Sequence, residues 1–226
     1  MQQMTAKEII ARRCARELQA GQVVNLGIGI PTLTANYLPP DAGVIFHSEN
    51  GIFGFGGKPC ASAADSDYTN ASCEPITLLP GAALMDLTTS LGAMRKGYID
   101  VTILGALEVD AYGNLANWAC QRGGKWWPGI GGAMDLCYGT RKVIAALQHT
   151  DKKGTPKIRQ RCLLPLTGTR CVKVIVTELA VFNVDDNGLL LREIAAGMTL
   201  ERLQQLTDAE FAVSPGLVEM ESAISC

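Results

Sequence analysis

The chain has 226 residues, of which 47% are hydrophobic and 19% charged. That balance excludes a disordered chain and allows one large domain with a sizeable core. A net charge of −2 gives no general attraction to nucleic acid or to an anionic membrane, and no apolar run approaches the roughly 18 to 20 residues of a transmembrane helix.

Thr5-Ala-Lys-Glu8 is a capping-box pattern. Ile9, Ile10, Cys14, Ala15 and Leu18 follow at helical spacing, and Gly21 is a natural stop. Val23 to Ile30 reads as a buried strand running into N-L-G-I-G-I-P, with a short helix over about Thr32–Tyr37 before Pro39-Pro40. Val44, Ile45 and Phe46 form the next strand. Gly51 to Glu74 has no periodicity and reads as a long loop that the glycines keep from being strand. Ile76–Leu79 is a short strand ending at Pro80-Gly81. Leu84–Lys96 reads as a helix with Leu84, Leu87, Leu91 and Met94 on one stripe and Gly97 after it.

Ile99–Leu104 is a strand, and Asp110–Asn114 is a turn returning through Leu115–Ala119. Gly123–Gly132, G-G-K-W-W-P-G-I-G-G, reads as a second glycine-rich loop. Lys142–Leu147 and Val172–Thr177 are β-rich and flank an irregular basic stretch. Ala180–Val184 and Leu189–Ile194 form a hairpin around D-D-N-G. A last helix covers Thr199–Leu206, and the tail after Pro215 is expected to fray. The expected fold class is α/β: a mainly parallel open sheet, helices on both faces and antiparallel hairpin additions. It is expected to form a single domain over 1–226.

The eight cysteines include no C-x-x-C pair, and with only His47 and His149 no zinc spacing appears. They read as structural or incidental thiols, and no metal is expected. M-Q-Q-M-T-A-K-E lacks a secretory pattern, so a cytoplasmic location is expected. The dinucleotide pattern G-x-G-x-x-G fails at Gly27-x-Gly29, Gly54-x-Gly56 and Gly129-x-Gly131. The phosphate loop fails at Gly57-Lys58, and no G-x-S-x-G elbow exists.

What remains is a carboxylate among glycines. In F-H-S-E-N-G-I-F-G-F-G-G, Phe46 to Gly57, Glu49 stands where an apolar strand meets a turn. Ligands of open α/β sheets bind beyond such strand tips. The plainer reading is that Glu49 only starts a turn. The chemical readings are a general base, or a covalent nucleophile toward an activated acyl group. The second needs backbone N–H donors for an oxyanion, which Gly27–Gly29 and Gly129–Gly132 would supply if they converge on Glu49. His47 shares a strand face with Glu49 by alternation and reads as a satisfied, partly buried histidine.

These residues resemble the class I coenzyme A transferases, in their β-subunit or C-terminal half. Beyond F-H-S-E-N-G-I-F-G, the likeness covers V-N-L-G-I-G-I-P at 24–31, L-P-G-A at 79–82 and D-V-T-I-L-G-A-L at 100–107. It continues through N-L-A-N-W at 114–118, G-I-G-G-A-M-D-L at 129–136, H-T-D-K-K-G-T-P-K-I at 149–158 and T-E-L-A-V-F at 177–182. The resemblance implies ping-pong transfer of CoA between an acyl-CoA and a free carboxylic acid through a glutamyl-CoA thioester on Glu49. It implies that coenzyme A is a substrate, with no cofactor and no metal. It assigns Asn25, Gly27, Gly29, Asn50, Gly51, Gly129, Gly131, Gly132 and Ala133 to the CoA and substrate site, with Asn25 close to the glutamate and the thioester. Many relatives carry a lysine near CoA where this chain has Cys73 in N-A-S-C, leaving Lys58 or a partner residue to compensate.

The partner implied is a separate α subunit in an α2β2 heterotetramer. Acetoacetate, acetate, butyrate, succinate and 3-oxoadipate all fit as acyl groups. The rival readings are an acyl-CoA hydrolase using Glu49 and a non-catalytic acyl-CoA-binding subunit.

Overall fold

A computed structural model of the chain describes residues 4–220. Met1–Gln3, part of the segment read for a leader, and Cys226 lie outside them. Helix α1 (Ala6–Ala15) opens with the expected reciprocal cap: Glu8 N–H donates to Thr5 Oγ1 at 3.4 Å, and Thr5 N–H donates to Glu8 Oε2 at 2.7 Å. Strand β1 (Val23–Leu26) leads to a 3-10 segment, Ile30–Tyr37, then β2 (Ile45–Ser48), β3 (Ile52–Phe55), β4 (Leu78–Leu84) and α2 (Leu87–Arg95). Strands β5 (Val101–Gly105), β6 (Glu108–Asp110), β7 (Leu115–Ala116), β8 (Ala119–Arg122) and β9 (Lys125–Pro128) precede α3 (Ala133–Gly139). The chain continues through β10 (Lys142–Ala146), β11 (Ile158–Arg159), β12 (Val172–Val176), β13 (Ala180–Asp185) and β14 (Gly188–Ile194). Helix α4 (Leu200–Leu206) and β15 (Phe211–Glu219) complete it.

Ten strands form one sheet in the order β15-β14-β13-β12-β10-β5-β1-β2-β3-β4. The middle five, β12 to β2, are parallel. Antiparallel pairs extend both sides, and β15 joins β14 in parallel. The central strands bury both faces, as parallel strands must. Val143 and Ala145 face one core with Met94, Leu136 and Leu203 of the helices α2, α3 and α4. Ile144 and Ala146 face the other core with Ile10 and Cys14 of α1. Chain order reverses between β1 and β5, which is the kind of switch point where open sheets bind ligands beyond their carboxyl ends.

Several expectations are corrected. The glycine segment after Glu49 does continue as strand: β2 turns at Gly51 into β3, and Gly54, at φ 79°, lies in a register shift between Phe53 and Phe55. The strand expected to stop at Pro80 runs through it as β4. It is an edge strand, where a missing N–H costs no ladder bond. Up to Glu219 the tail expected to fray is instead β15, the opposite edge, with the irregular pairing of an interrupted strand around Pro215-Gly216, while residues 221–226 lie outside the described residues. Helix α2 starts later than expected, because Asp86 caps it by accepting from Thr89 N–H at 2.9 Å. Leu84 falls instead at the end of β4 and Leu87 at the first position of α2, and both are more than half exposed. The segment Gly123–Gly132 is not all loop: Gly123-Gly124, both at positive φ, turn β8 into β9 as a hairpin. Helix α3 after it was not anticipated.

Candidate active site

Glu49 is the first residue past β2, at the carboxyl rim of the sheet, and its side chain is only partly exposed. Its carboxylate lies against the loop before α3. Gly132 N–H donates to Glu49 Oε1 at 3.4 Å. A Cβ built on Gly131 would stand 2.9 Å from Oε1, and one on Gly132 would stand 2.9 Å from Oε2. The carboxylate thus occupies the volume that two side chains would need, so this approach requires glycine at both positions. Burial pushes the Glu49 pKa up. The Gly132 N–H opposes that shift, and the nearby Asp135 charge reinforces it. Asp135 itself is held by Arg95 Nε at 2.5 Å.

Behind Glu49 lies a buried polar row. Its carbonyl accepts from Ser90 Oγ of α2 at 2.8 Å. Ser90 Oγ lies 2.9 Å from His47 Nε2, and His47 Nδ1 lies 3.1 Å from Asn25 Nδ2. Thr102 Oγ1 donates to Asn25 Oδ1 at 3.0 Å. Asn25, His47 and Thr102 face one another across adjacent strands through the parallel register. All four side chains are fully buried. His47 is a satisfied histidine, more deeply buried than expected, and its pKa is pushed down to about 4 by burial. The expected common strand face with Glu49 does not form, because β2 ends at Ser48 and the two side chains go to different partners.

The other predicted residues spread around this centre. Asn25 reaches Glu49 only through His47 and Ser90. Gly27 N–H donates to Ile103 O at 2.9 Å, and Gly29 N–H to Ser72 Oγ at 3.2 Å. The Gly27–Gly29 turn therefore packs on β5 and on the loop over residues 65–75. That loop is tied beside the glutamate by Asn50 Nδ2 to Thr69 O at 2.8 Å and by Ala71 N–H to Ser48 Oγ at 2.9 Å. Gly51, at φ 108°, closes the β2–β3 turn, where a Cβ would strike Met85 O. Gly129 N–H is held by Trp118 O at 2.6 Å, and Ala133 N–H by Ile130 O at 3.3 Å. Cys73 is exposed in the 65–75 loop at φ 59°, while Lys58 is exposed and its main chain binds Asn36.

Beside the Gly129–Gly132 loop opens an apolar hollow of about 470 Å³, lined by Trp118, Pro128, Ile130, Met134 and Leu166. No cluster of three or more His, Cys, Asp or Glu side chains able to hold a metal occurs among the described residues. Nor is any helix among them long and apolar enough to cross a membrane. Sequence reasoning missed Ser48, Ser72, Ser90 and Thr102. Ser90 follows a legible helix cap, but nothing in its spacing points it at a residue 41 positions earlier.

A family model described as Coenzyme A transferase matches residues 7–205. The chain belongs to the coenzyme A transferase family. It corresponds over nearly its whole length to the separately encoded β subunits. It is 48% identical over 214 residues to the β subunit of the acetate CoA-transferase of Escherichia coli (strain K12), covering 95% of this chain and 97% of that one. It is 43% identical over 207 residues to the corresponding subunit of the succinyl-CoA:3-ketoacid coenzyme A transferase of Helicobacter pylori (strain 26695), covering 92% and 99%. Among solved structures, the apoenzyme of the acyl-CoA transferase YdiF from Escherichia coli O157:H7 matches with a TM-score of 0.74 at 24% identity. That match covers 98% of this chain and 44% of that one. The decarboxylase AibA/AibB matches with a TM-score of 0.68 at 20% identity, covering 98% and 90%. These last two likenesses describe the fold alone, and they join different activities on it.

Proposed function

We propose that this β subunit supplies Glu49 as the covalent nucleophile of a ping-pong CoA transfer. The observation that carries the reading is the carboxylate itself. It is desolvated, set against two glycines and raised in pKa. A carboxylate stripped of water without a neutralising cation is a stronger nucleophile than one in a salt bridge. One Glu49 oxygen attacks the acyl-CoA carbonyl, and the tetrahedral adduct expels CoA thiolate to leave an acyl-glutamyl anhydride. The thiolate then attacks the glutamyl carbonyl, releasing the first carboxylate and forming glutamyl-CoA thioester. A second carboxylate attacks that thioester, and the same steps in reverse release a new acyl-CoA and free Glu49. The backbone of Gly131 and Gly132 borders the place where oxyanion charge develops. The proposed steps exchange only acyl and thiolate groups at Glu49, so the reading calls for no redox cofactor and no metal, and coenzyme A is a substrate.

The acyl class we infer is acetate or a short 3-oxoacid, after the names of the relatives. A separate α subunit completes the site, and α2β2 is the expected assembly, in the cytoplasm. The test is to co-express the two chains and incubate the complex with acetoacetyl-CoA without an acceptor. Mass spectrometry of its peptides should find a CoA-derived, borohydride-sensitive adduct on Glu49. Adding acetate should then yield acetyl-CoA. Release of CoA to water whether or not acetate is present would make the enzyme a hydrolase. Turnover with no adduct at Glu49 would end the nucleophile reading, and binding without turnover would leave the chain a role in binding only.

A further inference from the structure

The row of buried polar groups behind Glu49 has a direction. We propose that Thr102, Asn25, His47 and Ser90 form one relay that fixes the Glu49 peptide, making Ser90 and His47 positioning residues for the carboxylate. The proposal rests on the reading of Glu49 as nucleophile.

Every donor in the relay follows from its two ends. The Glu49 carbonyl can only accept, so the single Ser90 hydroxyl proton goes to it, at 2.8 Å. Ser90 Oγ must then accept from His47 Nε2, at 2.9 Å. The neutral ring therefore carries its proton on Nε2, and Nδ1 is an acceptor. Asn25 Nδ2 fills that acceptor at 3.1 Å and points its second proton at His47 O, 3.4 Å away. Asn25 Oδ1 is left to accept from Thr102 Oγ1 at 3.0 Å. Flipping the Asn25 amide would set its oxygen against the His47 carbonyl, and the other tautomer would take the Ser90 proton from Glu49. Neither alternative satisfies all partners. The ring is also fixed by Phe53, whose centroid lies 4.3 Å away.

The relay links three strands and α2 to a single peptide. It holds the Glu49 carbonyl toward α2 while the side chain of the same residue reaches Gly132 at the start of α3. Donors aligned in one direction polarise one another, so removing a link weakens those that remain. Ser90, His47 and Thr102 are fully buried and act on Glu49 without touching substrate.

The test uses the complex formed with the co-expressed α chain and compares Ser90→Ala, His47→Leu, His47→Gln and Thr102→Val. Thermal melting first establishes which variants assemble. In the relay, Ser90→Ala and His47→Leu each lower kcat by roughly 10-fold or more. KM for acyl-CoA stays within about threefold. The double variant is no worse than the worse single one, because the two links are in series. His47→Gln, which keeps an acceptor and a donor, recovers most of the rate. A folded Ser90→Ala complex with kcat within about twofold of the parent overturns the proposal, as do losses that multiply in the double variant. If Ser90→Ala does not assemble, Thr102→Val decides: reduced kcat at unchanged KM supports the relay, and parental kinetics end it. An adduct on Glu49 with parental kinetics in every variant removes the relay alone. Absence of the adduct in the parent complex removes the nucleophile reading and the relay with it.

Discussion

Glu17 and Glu49 are both partly shielded from water, and they are treated in opposite ways. Glu17, just past α1, has a side chain only 8% exposed and is gripped by three cations. Arg13 Nη2 lies at 2.8 Å and Lys142 Nζ at 2.7 Å, and Arg192 Nη2 donates to it as well. Burial raises its pKa, but bonds to Lys142 and Arg13 outweigh that and hold it down at about 2. Burial raises the Glu49 pKa too, and there the one long Gly132 N–H bond does not offset it and the Asp135 charge adds to it. The first carboxylate is fixed as an anion and has no reason to react. The second is costly to ionise, and in the proposed mechanism forming a bond to carbon relieves that cost. Burial alone therefore does not set a carboxylate's behaviour: offset by cations it leaves a stable anion, and without them a raised pKa.

The sharpest way to break this comparison is to remove each acid in turn. Glu49→Gln is expected to lower transfer by at least about 10⁴-fold in the complex, read as product acyl-CoA. Its melting temperature at neutral pH should hold or rise. Glu49 has a folded pKa above its unfolded one, so its favourable contribution exists at low pH and is lost as pH climbs through the folded value. Neutral Gln escapes that loss. A large drop in melting temperature would mean that Glu49 is structural.

Gly131→Ala comes next. Its φ is +51°, and the new Cβ would press on Glu49 Oε1. We expect kcat to fall roughly 100-fold from misplacement, at a stability cost of about 1 kcal/mol. Unchanged kcat would show that the carboxylate works elsewhere.

Glu17→Ala should do the reverse, leaving kcat in the assembled complex intact and costing about 3 kcal/mol in denaturant unfolding. That is the low end for a broken buried pair, because Glu193 still holds Arg13, at 2.6 Å. Loss of activity without loss of stability would undo the contrast.

The smallest effect is in pH. The acid limb of kcat/KM should lie above the ordinary 4.5 of a glutamate, because attack needs the ionised form and Glu49 ionises late. Stability should follow Glu17 instead. A depressed folded pKa contributes above the unfolded value, and that contribution is lost as pH falls from 4.5 toward about 2. Glu17→Ala should flatten that part of the stability curve. A single shared pH midpoint for rate and stability would merge what the comparison separates.

Much of this was legible in the chain. The cap at Thr5–Glu8, the apolar runs of β1, β5, β10 and β12, and D-D-N-G between β13 and β14 each carry a local cause. Glu49 stood out as a carboxylate between an apolar strand and glycines, which a simple turn would also explain, and the likeness of F-H-S-E-N-G-I-F-G to a known family favoured the chemical reading. What was not legible depended on position in the sheet. Pro80-Gly81 and Pro215-Gly216 look like stops, and they are tolerated because their strands are outermost. Gly123-Gly124 signals a hairpin only once the flanking A-C-Q-R and K-W-W-P are known to pair. Ser90 and Thr102 meet the site through register and helix packing, across 41 and 77 residues, and no local pattern encodes that.

The two outer strands share one device. Each is interrupted by a Pro-Gly step, so neither rim offers an unbroken row of donors and acceptors to a foreign strand. Growth of the ten-stranded sheet by annealing to a neighbour is thereby discouraged at both ends. Another chain that joins this one is steered away from these two edges, toward surfaces such as the carboxyl rim that carries Glu49.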